Sequence, residues 1–345
     1  MDPLTQAALG AALPLAVRRR RIHLLAAGLC GAVAGMAADL DVLIRSSDDP
    51  LLFLEYHRQF SHALVFVPLG ALLCALPLQV LFRWWGRGAA PGFAATWLCC
   101  ALGYLSHPLI DACTSYGTML FWPFSEARIA LSLVSVVDPL FTLPLLLAVA
   151  AALWRRRPAL ALAGLVWAGL YLAAGAVQQQ AAKTAILQTA SARGHAPQRL
   201  VVKPSFANLI VWKTIYEGAD GRFHVDAVRR APGRAAQVIA GASLPRLALA
   251  RDVPWLDPAS RQAADVARFR RFSEGFIARD PEHGNRVIDV RYSFLPHRLA
   301  PLWSIELSPD APPEAHARYR THRGEARARL GDLWRLILGT VPAPA

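Results

Sequence analysis

Cysteine is missing from more than half of the chain. The five that occur (Cys30, Cys74, Cys99, Cys100 and Cys113) all precede residue 114, and none has CxxC spacing, so zinc-ribbon and zinc-finger arrangements are excluded. Each lies in or beside an apolar run and reads as a small apolar side chain. The cysteine-free second half is compatible with a periplasm. Also lacking is a basic stretch ahead of the first apolar run: the arginines at 18–21 follow the run 4–17, which is therefore not read as a cleaved signal peptide. There is no internal repeat or low-complexity tract, and turn-rich loops are limited to APGRAAQ and PDAPPE. Acidic residues are in deficit, 24 against 37 Lys and Arg, for a net charge of +13. Residues 1–178 carry +3 of this and residues 179–345 carry +10. With no zinc-finger spacing and no RNA-binding aromatic signature, the excess does not point to nucleic acid. It suits anionic lipid headgroups or a phosphate-bearing substrate.

What the chain has in abundance is apolar sequence. Of its 345 residues, 54% are hydrophobic, and the mean hydropathy is +0.31. A bilayer core of roughly 30 Å requires about 20 apolar residues per helix. The stretches 22–44, 61–82, 93–113, 131–154 and 158–178 meet or approach that length. The run 4–17 is one or two turns shorter and fits a short first helix or a re-entrant segment. The expectation is an α-helical membrane domain of five to six segments over residues 1–178, followed by a soluble α+β domain over 179–345.

Arginine clusters mark the cytoplasmic side of a membrane protein. Here they occupy alternate loops: 18–21, then Arg83 and Arg87, then Arg155 to Arg157. One threading satisfies all three. It places the loops 45–60 and 114–130, and everything after residue 178, outside the cytoplasm. In the second half, RLVVKP, NLIVWKTIYEG, RFHVDAVR, RVIDVRYSF and PLWSIELS read as strands, with GADG (218–221) as a turn. Residues 257–276 read as a capped helix and 313–338 as a terminal amphipathic helix.

The same threading gathers polar residues at one depth. Asp39 and Asp41 close the 22–44 run, and His57, Arg58 and His62 open the next. His107 and Asp111 close the 93–113 run, and Asp138 lies near the outer end of 131–154. Ionisable residues in membrane segments are costly and mark function by default. His107 and Asp111 are at i and i+4 and share a helix face. Asp39 and Asp41 are at i and i+2, so both can serve one site only from an unwound helix end or a loop. Imidazole with carboxylate suits a divalent metal such as zinc or manganese, as one ion or two. Asp39, Asp41, His57, His62, His107 and Asp111 are the candidate ligands. Arg58 is a candidate for a substrate phosphate, and Asp138 for orienting a ligand or acting as base.

The ordered set MDPLTQAALGAAL, ADLDVL, HRQFSHAL, GYLSHPLIDACTSYGTMLFWPFS and VVDPLFTLPLL resembles the bacterial inner-membrane proteins described as membrane-bound metal-dependent hydrolases (the LexA-regulated, DUF457 group). The resemblance covers about residues 1–150 well and extends less specifically into NLIVWKTIYEG and DVRYSFLP. It implies that Asp39 and Asp41 match the family's aspartate pair. His57, Arg58, Ser61 and His62 match its HR-x-x-(S/T)-H element, Ser106, His107 and Asp111 its S-H-x-x-x-D element, and Asp138 its aspartate-proline element. One departure is that many members have Thr-His where this chain has Thr5-Gln6, which removes one possible ligand. The implied activity is metal-dependent hydrolysis at the outer face of the inner membrane, on a lipid or lipid-linked phosphoester. An ion- or proton-coupled transporter and an envelope protein with a structural metal are the other readings of the same residues.

Overall fold

A computed structural model describes residues 1–17, 23–84, 91–322, 324 and 328–340. The arginines at 18–21 and Arg87, on which the threading draws, lie outside the described residues. The chain divides into two compact units. The first comprises Met1–Ile44, Tyr56–Ala176 and Phe206–Asn208, and the second Arg45–Glu55, Val177–Ser205 and Leu209–Ala345.

The first unit is helical: α1 (Pro3–Ala16), α2 (Leu24–Ala37), a 3-10 turn (Ala38–Leu43), α4 (Val67–Trp84), α5 (Phe93–Ala112), α6 (Pro139–Trp154) and the first part of α7 (Pro158–Ala192). A short α3 (Leu52–Tyr56) precedes α4. Among the described residues, four helical segments are long and apolar enough to cross a bilayer: Leu24–Leu43, Leu64–Trp84, Phe93–Ala112 and Pro158–Ala192. The expected 131–154 segment is shorter, because its helix begins only at Pro139. There Asp138 caps it, accepting from the amides of Leu140 and Phe141. An aspartate N-cap followed by proline at N1 is a strong start signal. At 1.5 Å per residue α1 is about 21 Å long, short of the hydrocarbon thickness.

Glycines set how α1, α2 and α5 pack. A Cβ on Gly31 would lie 2.1 Å from the Gly10 carbonyl oxygen, and one on Gly103 would lie 2.3 Å from that of Gly31. A Cβ on Gly35 would lie 2.6 Å from the Gln6 carbonyl oxygen. Gly31 and Gly35 form a small-xxx-small pair, which lets membrane helices approach to backbone contact.

The second unit holds two antiparallel four-stranded sheets. The first has β1 (Arg199–Pro204), β2 (Val211–Glu217), β3 (Arg222–Arg229) and β4 (Gln237–Pro245) in that order. The second has β5 (Ile277–Arg279), β6 (Arg286–Asp289), β7 (Trp303–Glu306) and β8 (Arg318–Thr321). Alternation along β2 sends Trp212 and Tyr216 to one face, where they pack with Ala182, Ile186 and Ala190 of α7. Ile215 goes to the other face, into a core with Phe223, Phe276 and Ile288. The 35-residue α7 is about 52 Å long, far beyond a bilayer core, so its last turns are free to cover the first sheet. Helix α8 (Leu249–Asp252) is a single turn. Helix α9 (Arg261–Phe272) starts at Ser260, whose hydroxyl accepts from the Ala263 amide. It is shorter than the expected 257–276 helix. The expected 313–338 helix is corrected too: its first part contains β8, and α10 spans only Leu330–Leu338. The architecture is thus a helical membrane domain followed by a soluble α+β domain.

Candidate metal centre

Six of the eight candidate residues belong to two overlapping groups in the first unit. Asp39, His62, His107 and Asp111 present ligand atoms within 4.8 Å of one another, and so do Asp39, Asp41 and His57. The helix ends explain why. The 3-10 turn continues α2 and carries both aspartates, His62 lies just ahead of α4, and His107 and Asp111 fill the last turns of α5. In place of the expected unwound end or loop, the α-helix passes into a more tightly wound 3-10 turn at Ala38–Leu43. It lets the two aspartates address opposite nitrogens of His62, Asp39 Oδ1 at 3.5 Å from Nε2 and Asp41 Oδ2 at 3.2 Å from Nδ1.

The hydrogen bonds fix where the ring protons are. His107 Nδ1 lies 2.5 Å from the Gly35 carbonyl oxygen. A carbonyl can only accept, so Nδ1 carries the proton and Nε2 of the neutral ring presents a lone pair. Ser61 Oγ donates to Asp41 Oδ2 at 2.7 Å and faces His62 Nδ1 at 2.9 Å. With its own proton committed, the hydroxyl accepts from His62 Nδ1, and Nε2 is a lone pair whenever that ring is neutral. The two Nε2 atoms are 3.0 Å apart. Asp111 Oδ2 is 3.3 Å from His62 Nε2 and 3.5 Å from His107 Nε2, and Asp39 Oδ1 is 3.4 Å from His107 Nε2. Asp111 Oδ2 is buried and makes no hydrogen bond.

While both rings are neutral these four atoms are all acceptors, in a setting where water screens little, and the Arg58 guanidinium, with Nε 3.1 Å from Asp111 Oδ2, is the positive charge beside them. A cation relieves the repulsion, either a shared proton or a divalent metal with these four as ligands. Two imidazoles and two carboxylates are a donor set for zinc or manganese, so the residues fit the group. The side chains of His62, His107 and Asp111 are fully buried, whereas Asp39 is 27% exposed. The cluster therefore opens on the Asp39 side.

Arg58 and Asp41 frame this cluster. Arg58 has φ 62°, a left-handed conformation that costs a non-glycine residue roughly 1–2 kcal/mol. Its backbone is clamped on both sides: its amide donates to Asp41 Oδ2 at 2.9 Å, and its carbonyl accepts from the Met119 amide at 3.0 Å. The guanidinium reaches Asp111 Oδ2 at 3.1 Å and Thr114 Oγ1 at 3.1 Å, and lies 4.8 Å from the Tyr116 ring centroid. Asp41 Oδ1 meets His57 Nδ1 at 2.7 Å. Its two oxygens thus serve His57, His62, Ser61 and the Arg58 amide, which is an orienting arrangement.

Gln6 stands beside the cluster. Its Nε2 donates to Asp111 Oδ1 at 3.0 Å, next to the Met1 nitrogen, which also contacts that oxygen. The side chain thus secures the aspartate as a donor. Asp138 is engaged elsewhere: besides capping α6, it accepts from Tyr171 Oη at 2.8 Å, and it joins neither group. The Gly35 carbonyl was not foreseen from the sequence, although the Gly31-xxx-Gly35 spacing marks where backbone is laid bare to a neighbouring helix.

The inner membrane protein YbcI of Escherichia coli (strain K12) is 33% identical over 100 residues, 28% of this chain and 54% of YbcI. The uncharacterized protein YfhP of Bacillus subtilis (strain 168) is 25% identical over 114 residues, 33% of each chain. The chain thus spans about a third to about half the length of these relatives. No solved structure matches. The family description "YdjM inner membrane protein" matches residues 1–182, which include every helix of the first unit and all of the cluster. This multi-pass chain belongs to the YdjM inner membrane protein family.

Proposed function

We propose that the chain is a metal-dependent hydrolase working at the outer face of the inner membrane on a phosphoester of a lipid or lipid-linked molecule. The observation that carries this reading is the convergence of Asp39 Oδ1, His62 Nε2, His107 Nε2 and Asp111 Oδ2, all acceptors while both rings are neutral. These four residues would hold the ion. When bound, a divalent cation supplies Lewis acidity, which polarises a phosphoryl oxygen and makes a water easier to deprotonate.

The other residues bind and orient. Asp41 fixes the ring of His62 and, with the Met119 amide, holds Arg58 in its left-handed backbone. The Arg58 guanidinium, placed between Asp111, Thr114 and Tyr116, is the group to receive a phosphate oxygen, because its planar fork matches that geometry. Asp138 has no part in this assignment, since the α6 amides and Tyr171 occupy its oxygens. The relative exposure of Asp39 favours entry of substrate from that side, close to headgroup depth.

An extracytoplasmic second unit is part of the proposal. It is supported by residues 45–55, which connect Asp41 to His57 yet belong to the second unit. Arg268 of α9 holds them, bidentate to Asp49 at 2.8 and 2.9 Å and with Glu55 at 2.6 Å. A segment that is joined to the ligand-bearing turn and tied to α9 supports the reading that both face one compartment.

The test is purification in detergent, with bound metal and hydrolysis of bis-(p-nitrophenyl) phosphate measured on the same sample. One or two equivalents of metal, with activity lost in both Asp39→Asn and Arg58→Gln, is the expected result. Metal-stimulated ion flux in proteoliposomes without hydrolysis would replace this reading with transport.

A further inference from the structure

The second unit contains a cavity of about 660 Å³ whose wall is unusually basic. We propose that it is a binding site for a phosphate group, separate from the metal cluster in every residue that forms it.

The wall carries His283, Arg286, His297, Arg298, His322 and Arg329 against only Asp280 and Glu282. The acids do not balance it. Asp280 is already used by Arg286 Nη1 at 3.2 Å and by the Glu282 amide at 2.9 Å, and Arg286 Nη2 pairs with Glu306 at 3.0 Å. Among the described residues, neither Arg298 nor Arg329 has a carboxylate within ion-pair reach. His297 Nδ1 is buried without a hydrogen-bond partner, a condition that is costly unless something fills it. Burial, then Arg298, then Lys213 hold that imidazole below its ordinary pKa, outweighing the opposing pull of Asp332.

The wall is also built to stay in place. Lys213 of β2 is buried and its Nζ donates to Ser293 Oγ at 2.8 Å, Pro296 O at 3.1 Å and Arg298 O at 3.2 Å. All three donor positions of one lysine are thus spent on the segment that carries His297 and Arg298. On the opposite side, a Cβ on Gly241 of β4 would lie 2.4 Å from the His297 carbonyl oxygen, so only glycine lets β4 close against that segment. The volume lies within the roughly 300–1,000 Å³ of small-molecule sites, and Ile239, Leu299 and Pro301 give the wall an apolar part. Two arginines without a carboxylate partner and an unfilled imidazole nitrogen suit a tetrahedral oxyanion, with the apolar part left for whatever carries it.

The phosphate could belong to a soluble monoester or to a lipid headgroup. The experiment uses the full chain in a neutral detergent at constant ionic strength, titrated calorimetrically with glycerol 3-phosphate and with short-chain phosphatidylglycerol. Saturable binding of either, weakened at least tenfold in Arg298→Gln/Arg329→Gln with bound metal unchanged, is expected. Tighter binding of the lipid assigns the phosphate to a headgroup, and equal or weaker binding to a soluble ester. His297→Asn, which keeps a polar side chain, should weaken binding as well. Absence of saturable binding by both probes, or affinity unchanged in all these variants, overturns the proposal.

Discussion

His62 and His107 meet Nε2 to Nε2 at 3.0 Å, each with its Nδ1 proton already committed, to Ser61 and Asp41 in one case and to the Gly35 carbonyl in the other. Neither can donate to the other while both rings are neutral. A pair set up in this way has a use for a cation.

Removing a ligand should therefore remove the ion. His107→Ala and Asp111→Ala are expected to purify with bound metal reduced to a small fraction of the wild-type content, read by plasma mass spectrometry. Chelation of the wild-type protein should lower its melting temperature, since an ion that binds only the folded state stabilises it by mass action. Unchanged metal content in both variants would contradict the assignment of ligands.

Asp41 tests orientation separately from ligation. Asp41→Asn keeps the volume but weakens the hold on the His57 and His62 rings. Loss of such a supporting carboxylate typically lowers metal affinity about 10–100-fold. Competition against a fluorescent chelator should therefore show a weaker but still saturable site in Asp41→Asn, and a larger loss in His62→Ala. Equal losses would make Asp41 a ligand in its own right.

The glycine crossing gives a prediction about packing. Gly31→Val would drive a branched side chain into the Gly10 backbone. Helices α1 and α2 must then separate, and α5 with them, because Gly103 also packs on Gly31. Overpacking of this kind destabilises by about 1–3 kcal/mol. A lower melting temperature in detergent together with reduced metal content is expected. A variant that keeps both would show that the crossing tolerates a side chain.

Arg268 tests the hold on residues 45–55. Its partly exposed pairs with Asp49 and Glu55 are worth about 1 kcal/mol together after screening. In Arg268→Gln, amide exchange across 45–55 should quicken by roughly fivefold, with the rest of α9 little changed. Exchange in that segment identical to wild type would show that other contacts hold it.

Much of this was legible in the sequence, and the rest was hidden for identifiable reasons. His107 and Asp111 could be paired because a helix turns a spacing of four into a shared face. Their meeting with Asp39 and His62 followed only from threading, since no local pattern links residues so far apart. Asp138 looked like a member of the site, but the proline beside it was the sign of a helix start. Strand β4, QVIAGASLP, was missed because its alanines, glycine and serine have little strand preference, and its pairing with β3 decides the matter. β8 reads as helix from sequence because its four residues, RYRT, sit close to a true amphipathic helix.

The carbonyl of Gly35 also governs when the site can exist. His107 is oriented by a backbone atom of α2, yet α5 is made much later than α2. At roughly 5–20 residues per second of synthesis, Asp39 is in place for several seconds before His107 and Asp111 arrive. During that interval α2 has α1 against Gly31 but lacks α5 on the same glycine, and the cluster has at most two of its four ligands. On the proposed assignment, metal capture is therefore a late event in biogenesis, following insertion of the third long helix. A chain stalled before residue 107 would leave ribosome and membrane with no ion bound.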